Sequence, residues 1–190
     1  MRILSICGSP RKGNSETILL KLQEILKGKN IDNEIILLRE KKVSRCLGCV
    51  EYCNKELQCR IQDDMQLIMN SMERAEGFIF ISPNYFKMPT GLFKDFIDRC
   101  SIFYTAGKED EFEHKKAIVI AVGTDSVEHI DICMNNIAYN FAETIGLKVV
   151  AKKSFRSHSE LNGNYQDIIE SGINPEIEAE LEELASALSL

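Results

Sequence analysis

Arg2-Ile-Leu-Ser-Ile-Cys7 runs directly into Gly8-Ser-Pro-Arg-Lys-Gly-Asn-Ser-Glu-Thr17, and this junction decides the fold. A nearly continuous apolar run of this length reads as a strand covered on both faces, the mark of a central position in a parallel sheet. The loop behind it is small and polar. It opens into a helix expected over residues 15–27, where Leu19, Leu20, Leu22 and Ile25 form an apolar stripe and Gly28 closes the end.

Working outward, further strands are expected over residues 33–38, 77–82, 116–123 and 148–153. The third and fourth strands are as apolar as the first, whereas the second and fifth are more polar and suit sheet edges. Helices are expected over 64–74, 91–103, 127–145 and 175–188, with Pro175 at the first position of the last. Strictly alternating elements joined by right-handed crossovers build an α/β three-layer sandwich. Five strands favour the flavodoxin-like form, a parallel sheet in the order 2-1-3-4-5. The 190 residues suit one domain, 1–190, with a cysteine-rich insertion at 44–62. The polar stretch 154–172 reads as an irregular connection, and Glu176, Glu178, Glu180, Glu182 and Glu183 as a solvated face of the last helix.

Composition narrows the functional classes. A hydrophobic fraction of 44% with 27% charged residues is that of a chain that folds alone. A net charge of -6, with no basic run interleaved with aromatics, argues against nucleic acid as a partner. The opening apolar run is too short for a secretory signal, and no stretch reaches the ~20 apolar residues of a membrane span. A cytoplasmic protein is expected. There the odd count of seven cysteines points to ligands, redox groups or core filler and not to a disulfide framework.

Three loops follow the three central strands. In the first, helix-terminal N–H groups, the hydroxyls of Ser9, Ser15 and Thr17, the Asn14 amide and the Arg11 guanidinium are suited to surround a phosphate. The loop has neither the Walker spacing nor Gly-x-Gly-x-x-Gly, so a monophosphate fits best; a plain turn capped by Asn14 or Ser15 is the alternative. The second is Ser82-Pro-Asn-Tyr-Phe86, followed by Thr90-Gly-Leu-Phe-Lys-Asp-Phe-Ile-Asp-Arg99, where Lys94 and Asp98 are spaced for a helical salt bridge. The third, Val122-Gly-Thr-Asp125, lies on the same carboxyl rim, where open α/β sheets bind ligands.

Cys46, Cys49, Cys53 and Cys59 form a C-x2-C-x3-C-x5-C run after the second strand. Four thiolates can hold a [4Fe-4S] cluster. Structural zinc is a second reading, although zinc sites usually draw two pairs from a longer segment. A metal-free thiol loop is a third. Cys7, Cys100 and Cys133 fall on apolar faces and read as core, Asp63 and Asp64 as caps of the second helix, and the three histidines as no ligand set. Hydrolytic catalysis has no support.

Over roughly the first 125 residues, the strand-Gly8-Ser9-Pro10-Arg11 opening, the Gly13-Asn14-Ser15 helix start and the Pro83-Asn84-Tyr85-Phe86 loop resemble the NAD(P)H-dependent FMN reductase family of flavodoxin-like proteins. The resemblance implies that Ser9, Arg11, Asn14, Ser15 and Thr17 hold the FMN phosphate. It also implies that Pro83, Asn84, Tyr85 and Phe86 line the isoalloxazine edge, and the place of Gly123 and Thr124 on the carboxyl rim makes them candidates for the ring's other side. Asn84 departs from the aliphatic residue usual in the family. The cysteine run resembles that of the iron-sulfur flavoproteins, which use C-x2-C-x2-C where this chain has one residue more. The implied activity is that of an FMN-dependent NAD(P)H oxidoreductase of the flavin or quinone reductase type, with NADH or NADPH as donor and a small molecule or redox protein as acceptor. An electron carrier without nicotinamide turnover is the alternative. A homodimer or homotetramer is also implied, with Phe103-Tyr104 as a candidate contact, and no side-chain acid or base is required.

Overall fold

In the computed structural model, which describes residues 1–156 and 173–189, strands and helices alternate along the chain. The elements are β1 (Arg2–Cys7), α1 (Asn14–Gly28), β2 (Asp32–Leu37), α2 (Val50–Glu56), α3 (Met65–Arg74), β3 (Gly77–Pro83), α4 (Gly91–Thr105), β4 (Lys116–Gly123), α5 (Val127–Ile137), β5 (Lys148–Arg156) and α6 (Pro175–Ser189). Among the described residues the pairings within the sheet are all parallel, and its order is β2-β1-β3-β4-β5. This is the flavodoxin-like order expected above.

The period of two along a strand assigns side chains to the two faces. Leu4, Ile6, Phe78, Phe80 and Val119 point to one side, where α3, α4 and α5 cover them. Ile3, Cys7, Ile79, Ile81, Ile118 and Ile120 point to the other, under α1 and α6. Beneath the carboxyl ends of the central strands, Phe80, Phe93, Phe96 and Phe141 pack with ring centroids 5.2–6.5 Å apart. Edge-to-face contacts of this kind add about 0.5–1.5 kcal/mol per pair beyond burial and give the rim a stiff floor.

Several local expectations are revised. The α-helix expected over 127–145 ends at Ile137 and widens into a π turn, Ala138–Ala142. This turn keeps Phe141 against Phe80 and Phe96. Leu20 lies off the buried face of α1, which is Ile18, Leu19, Leu22 and Leu26, and is exposed. Gly28 stays within the helix, and the reversal falls at Asn30 in the left-handed region. Phe103 is buried against Phe112, so of the pair proposed as a surface contact only Tyr104 is exposed. The stretch 154–172 begins inside β5, and its remainder from residue 157 lies outside the described residues. On α6, Glu178 pairs with Lys21 and Glu180 with Lys153, while Leu181, Leu184, Ala185 and Leu188 are buried.

Candidate functional site

The loops after β1, β3 and β4 meet in one cleft on the carboxyl rim of the sheet. It is lined by Ser9, Arg11, Gly13, Asn14 and Ser15 from the first loop, Pro83, Asn84 and Tyr85 from the second, and Val122, Gly123 and Thr124 from the third. The first loop is held by its own hydroxyl: Ser9 Oγ donates to the Arg11 carbonyl at 2.7 Å. At the start of α1 no side chain caps the helix, and the cap position is Gly13. The helix start, Gly13 to Ser15, therefore lines the cleft with no side chain closing its end, while the Glu16 and Thr17 N–H groups turn back to the Gly13 carbonyl at 3.0 Å. An open helix N-terminus of this kind is the arrangement that binds anions. The Asn14 or Ser15 cap weighed above is not formed. Thr17 lies outside the lining, and its hydroxyl donates to the Gly13 carbonyl at 3.3 Å.

Two hydroxyls not singled out in the sequence lock the second loop to the first. Thr90 caps α4 by accepting from Phe93 N–H and donates to the Gly8 carbonyl at 2.5 Å. Ser82 Oγ accepts from Thr90 N–H at 3.2 Å. Gly8 is required here, because an added Cβ would lie 2.5 Å from Phe93 Cδ2. Asn84 donates its backbone N–H to the Val122 carbonyl at 2.7 Å, and its side-chain Oδ1 is buried without a donor. Gly123 leaves room for that side chain, since a Cβ there would sit 3.1 Å from Asn84 Cβ. A buried acceptor lacking a donor suits a ligand that brings an N–H, as a flavin ring does. These groups fit FMN: helix-terminal amides for its phosphate and an orphan acceptor for its ring.

Beyond Tyr85 the chain reverses in a two-residue turn closed by Tyr85 N–H to Met88 O and Met88 N–H to Tyr85 O. Phe86 and Lys87 both have positive φ, 53° and 65°, and Phe86 is 99% exposed at the tip, outside the cleft. Asn136 on α5 supports the turn by donating to the Lys87 carbonyl at 3.0 Å. On the third loop, Asp125 pairs with His129 at 3.0 Å, and its carboxyl is held below the usual range by the Ser126 N–H and then by His129. Lys94 and Asp98 form the expected helical pair.

The cysteine segment differs in construction. All seven cysteines are free of disulfides. Cys7, Cys100 and Cys133 are buried, and burial pushes the Cys7 thiol up to about 11 and the Cys133 thiol to about 12, so neither is a ready nucleophile. Residues 44–62 contain a helix not expected from the sequence, α2, with no buried residue. The additional residue between Cys49 and Cys53 falls in its first turn. It sets the two cysteines four apart, Cys49 at the cap position and Cys53 one turn on, with the Cys53 N–H donating to the Cys49 carbonyl at 3.1 Å. The Cys53 thiol is raised by burial first and then by Cys49, Cys59 and Cys46. Among the described residues no three His, Cys, Asp or Glu are gathered to hold a metal ion. A single zinc needs its donors about 2.3 Å from one point. A four-iron cluster takes one thiolate at each iron, and this donor set, four free thiols in one segment, matches that chemistry.

The second overlooked feature holds this segment. Arg99 is buried on α4 and meets Asp63 in a two-pronged pair at 2.8 and 3.1 Å, both side chains almost fully enclosed. Asp63, read above as a helix cap, does accept the Met65 N–H, yet it also takes the Ser44 N–H and the guanidinium. Asp64 stands at the cap position of α3 without a side-chain cap bond and accepts from Lys42 N–H instead. The sequence did carry a signal. Arg99 lies three residues after Phe96 and four before Phe103, within the buried stripe of α4.

A parallel 2-1-3-4-5 sheet with a cleft on its carboxyl rim defines the flavodoxin-like fold. Residues 1–156 match the NADPH-dependent FMN reductase family, and the chain belongs to it. An iron-sulfur flavoprotein of Archaeoglobus fulgidus is 31% identical over 135 residues, covering 71% of this chain and 68% of that protein. Another, from Methanocaldococcus jannaschii, is 34% identical over 100 residues, about half of each: 52% of this chain and 51% of that one. An FMN-dependent NADH-azoreductase from Bacillus anthracis, solved in complex with FMN, shares the fold with a TM-score of 0.68 at 14% identity, covering 100% of both chains. No helix among the described residues is long and apolar enough to cross a membrane.

Proposed function

We propose that this chain binds FMN in the cleft and uses it as an oxidoreductase that draws electrons from NADH or NADPH. The observation that carries the reading is the cleft itself, where the uncapped start of α1 and the buried, donor-less Asn84 Oδ1 meet on one rim. In this reading Ser9, Arg11, Asn14 and Ser15 bind the phosphate, with Thr17 behind them steadying the helix start. Pro83, Asn84, Tyr85 and Gly123 orient the ring and exclude water from one face, and Phe86 reaches over from its exposed turn. FMN, when bound, supplies the acceptance of hydride and its onward delivery. No side-chain acid or base is assigned.

The reading extends to the cysteine segment, inserted at 44–62 in a single unit of 1–190. Cys46, Cys49, Cys53 and Cys59 would hold a [4Fe-4S] cluster, which supplies one-electron transfer. The four free thiols support this, as does the likeness to proteins named iron-sulfur flavoproteins. Such a pairing of centres suits a redox protein as acceptor, and it keeps a carrier role without nicotinamide turnover as the second reading. A cytoplasmic, homodimeric or homotetrameric protein completes the proposal; exposed Tyr85, Phe86, Met88 and Tyr104 are available for contacts between copies.

The deciding measurement is an anaerobic visible spectrum of fresh protein with flavin, iron and sulfide assayed on the same sample, followed by turnover with NADH and NADPH. FMN bound near one per chain with rapid nicotinamide oxidation is expected. Absence of flavin would sink the reading, and flavin without turnover would move it to the carrier.

A further inference from the structure

Arginine offers five N–H groups, and four of those on Arg99 are accounted for. Nη1 donates to the Ser44 carbonyl at 2.9 Å and to Asp63 Oδ2 at 2.8 Å; Nη2 donates to the Ile61 carbonyl at 3.4 Å and to Asp63 Oδ1 at 3.1 Å. Ser44 stands two residues before Cys46 and Ile61 two residues after Cys59, so one guanidinium grips both ends of the cysteine segment. The fifth N–H, on Nε, is buried and has no acceptor. Cys59 is the one buried member of the four cysteines, and its thiol interacts electrostatically with the same guanidinium.

Stability alone is a weak reason for this arrangement, because an apolar pair of similar volume closes such a space without the cost of desolvating two charges. An unused donor beside a thiol has a reason if the sulfur carries charge. A neutral thiol is a poor acceptor, whereas a thiolate bound to iron is a good one, and hydrogen bonds to ligand sulfurs raise a cluster's potential.

We propose that Arg99 is a positioning residue for the cysteine segment. It clasps the two ends through Ser44, Ile61 and Asp63 and gives its Nε–H to the Cys59 sulfur, making Cys59 the anchored ligand around which the other three close. This rests on the reading of the segment as the seat of an iron-sulfur cluster.

The test compares wild type, Arg99→Lys and Asp63→Asn as full-length, anaerobically purified proteins, reading iron and sulfide per FMN and the cluster potential by a titration followed by electron paramagnetic resonance. Arg99→Lys keeps a cation for Asp63 but loses the Nε donor and one of the two grips. It is expected to retain FMN, lose at least half of its iron and shift the remaining cluster to a more negative potential. Asp63→Asn leaves Nε in place and removes a compensating negative charge, so its potential shifts the other way. Should Arg99→Lys fail to fold, Cys59→Ser against Cys46→Ser gives the second readout, with the larger iron loss expected at Cys59. Wild type without iron overturns the cluster reading and this inference together. Wild type with iron overturns the role of Arg99 alone if Arg99→Lys matches it in iron and potential, if the two variants shift in the same direction, or if the two serine variants lose iron equally.

Discussion

The two candidate sites on this molecule are built in opposite ways. The cleft is assembled from backbone at the ends of β1, β3 and β4, over a floor of packed phenylalanines, and its loops are tied through Ser82, Thr90 and Gly8. The cysteine segment carries a helix with no fully buried residue, of which Cys53 packs against the core, and a buried ion pair holds its neck. A site built on strand ends inherits its rigidity from the core. A site hung on a neck depends on a few polar groups, and each of these has a large individual effect.

The largest expected effect follows from breaking the neck. Arg99→Met leaves Asp63 as an uncompensated buried charge and is expected to cost about 3–5 kcal/mol. Urea unfolding followed by circular dichroism measures it, and adding Asp63→Leu to the same chain should recover most of the loss. If the single variant costs less than about 1 kcal/mol, the neck is not what holds the segment.

Acid probes the same contact without mutation. Burial alone would raise the Asp63 carboxyl, but the Arg99 guanidinium and the Ser44 and Met65 amides outweigh it and hold it at about 2. A folded value below the ordinary carboxylate range of about 3.9 means that the stabilisation is fully present above about pH 4. It is lost as pH falls from there through about 2. The expected loss is about 2–3 kcal/mol, read as a drop in Tm between pH 4 and 2 that Asp63→Asn does not show.

A pair of glycine substitutions sharpens the contrast. Gly8→Ala drives a Cβ to 2.5 Å from Phe93 and is expected to cost about 1–3 kcal/mol and lower the FMN content. Gly48→Ala meets no neighbour within 4 Å and strains only its own backbone, at φ +63°. Its cost should be about 1 kcal/mol, with the flavin unchanged. Equal flavin loss in both would erase the distinction between the two regions. The smallest effect is expected at the exposed turn, where Lys87→Gly relieves a positive φ of 65° and should stabilise by up to about 1 kcal/mol, measured as a small rise in Tm.

Much of this was legible in the residue order. Continuous apolar runs such as 78–81 and 117–122 can only be central parallel strands, and both lie at the middle of the sheet. Glycine-bearing polar loops after such strands must then fall on one rim. The short helix α2 escaped notice because seven residues without an apolar face carry no periodic signal. Phe86 and Thr17 belong to the right loops but lie outside the cleft's lining, since motif position does not dictate which way a turn or a helix face points.

The sequence by itself determined the α/β class, the strand order and the rim on which the loops gather, because these depend on local periodicity and on the handedness of the chain. Only the tertiary structure decided that Arg99 faces Asp63, that Ser82 and Thr90 lock the cleft, and that Asn84 Oδ1 is left without a donor. Those are pairings between residues 36 and 82 positions apart in the longer cases, and pairings of polar groups across such separations leave no periodic trace. They are set by which buried donors and acceptors the packed core brings within reach of one another.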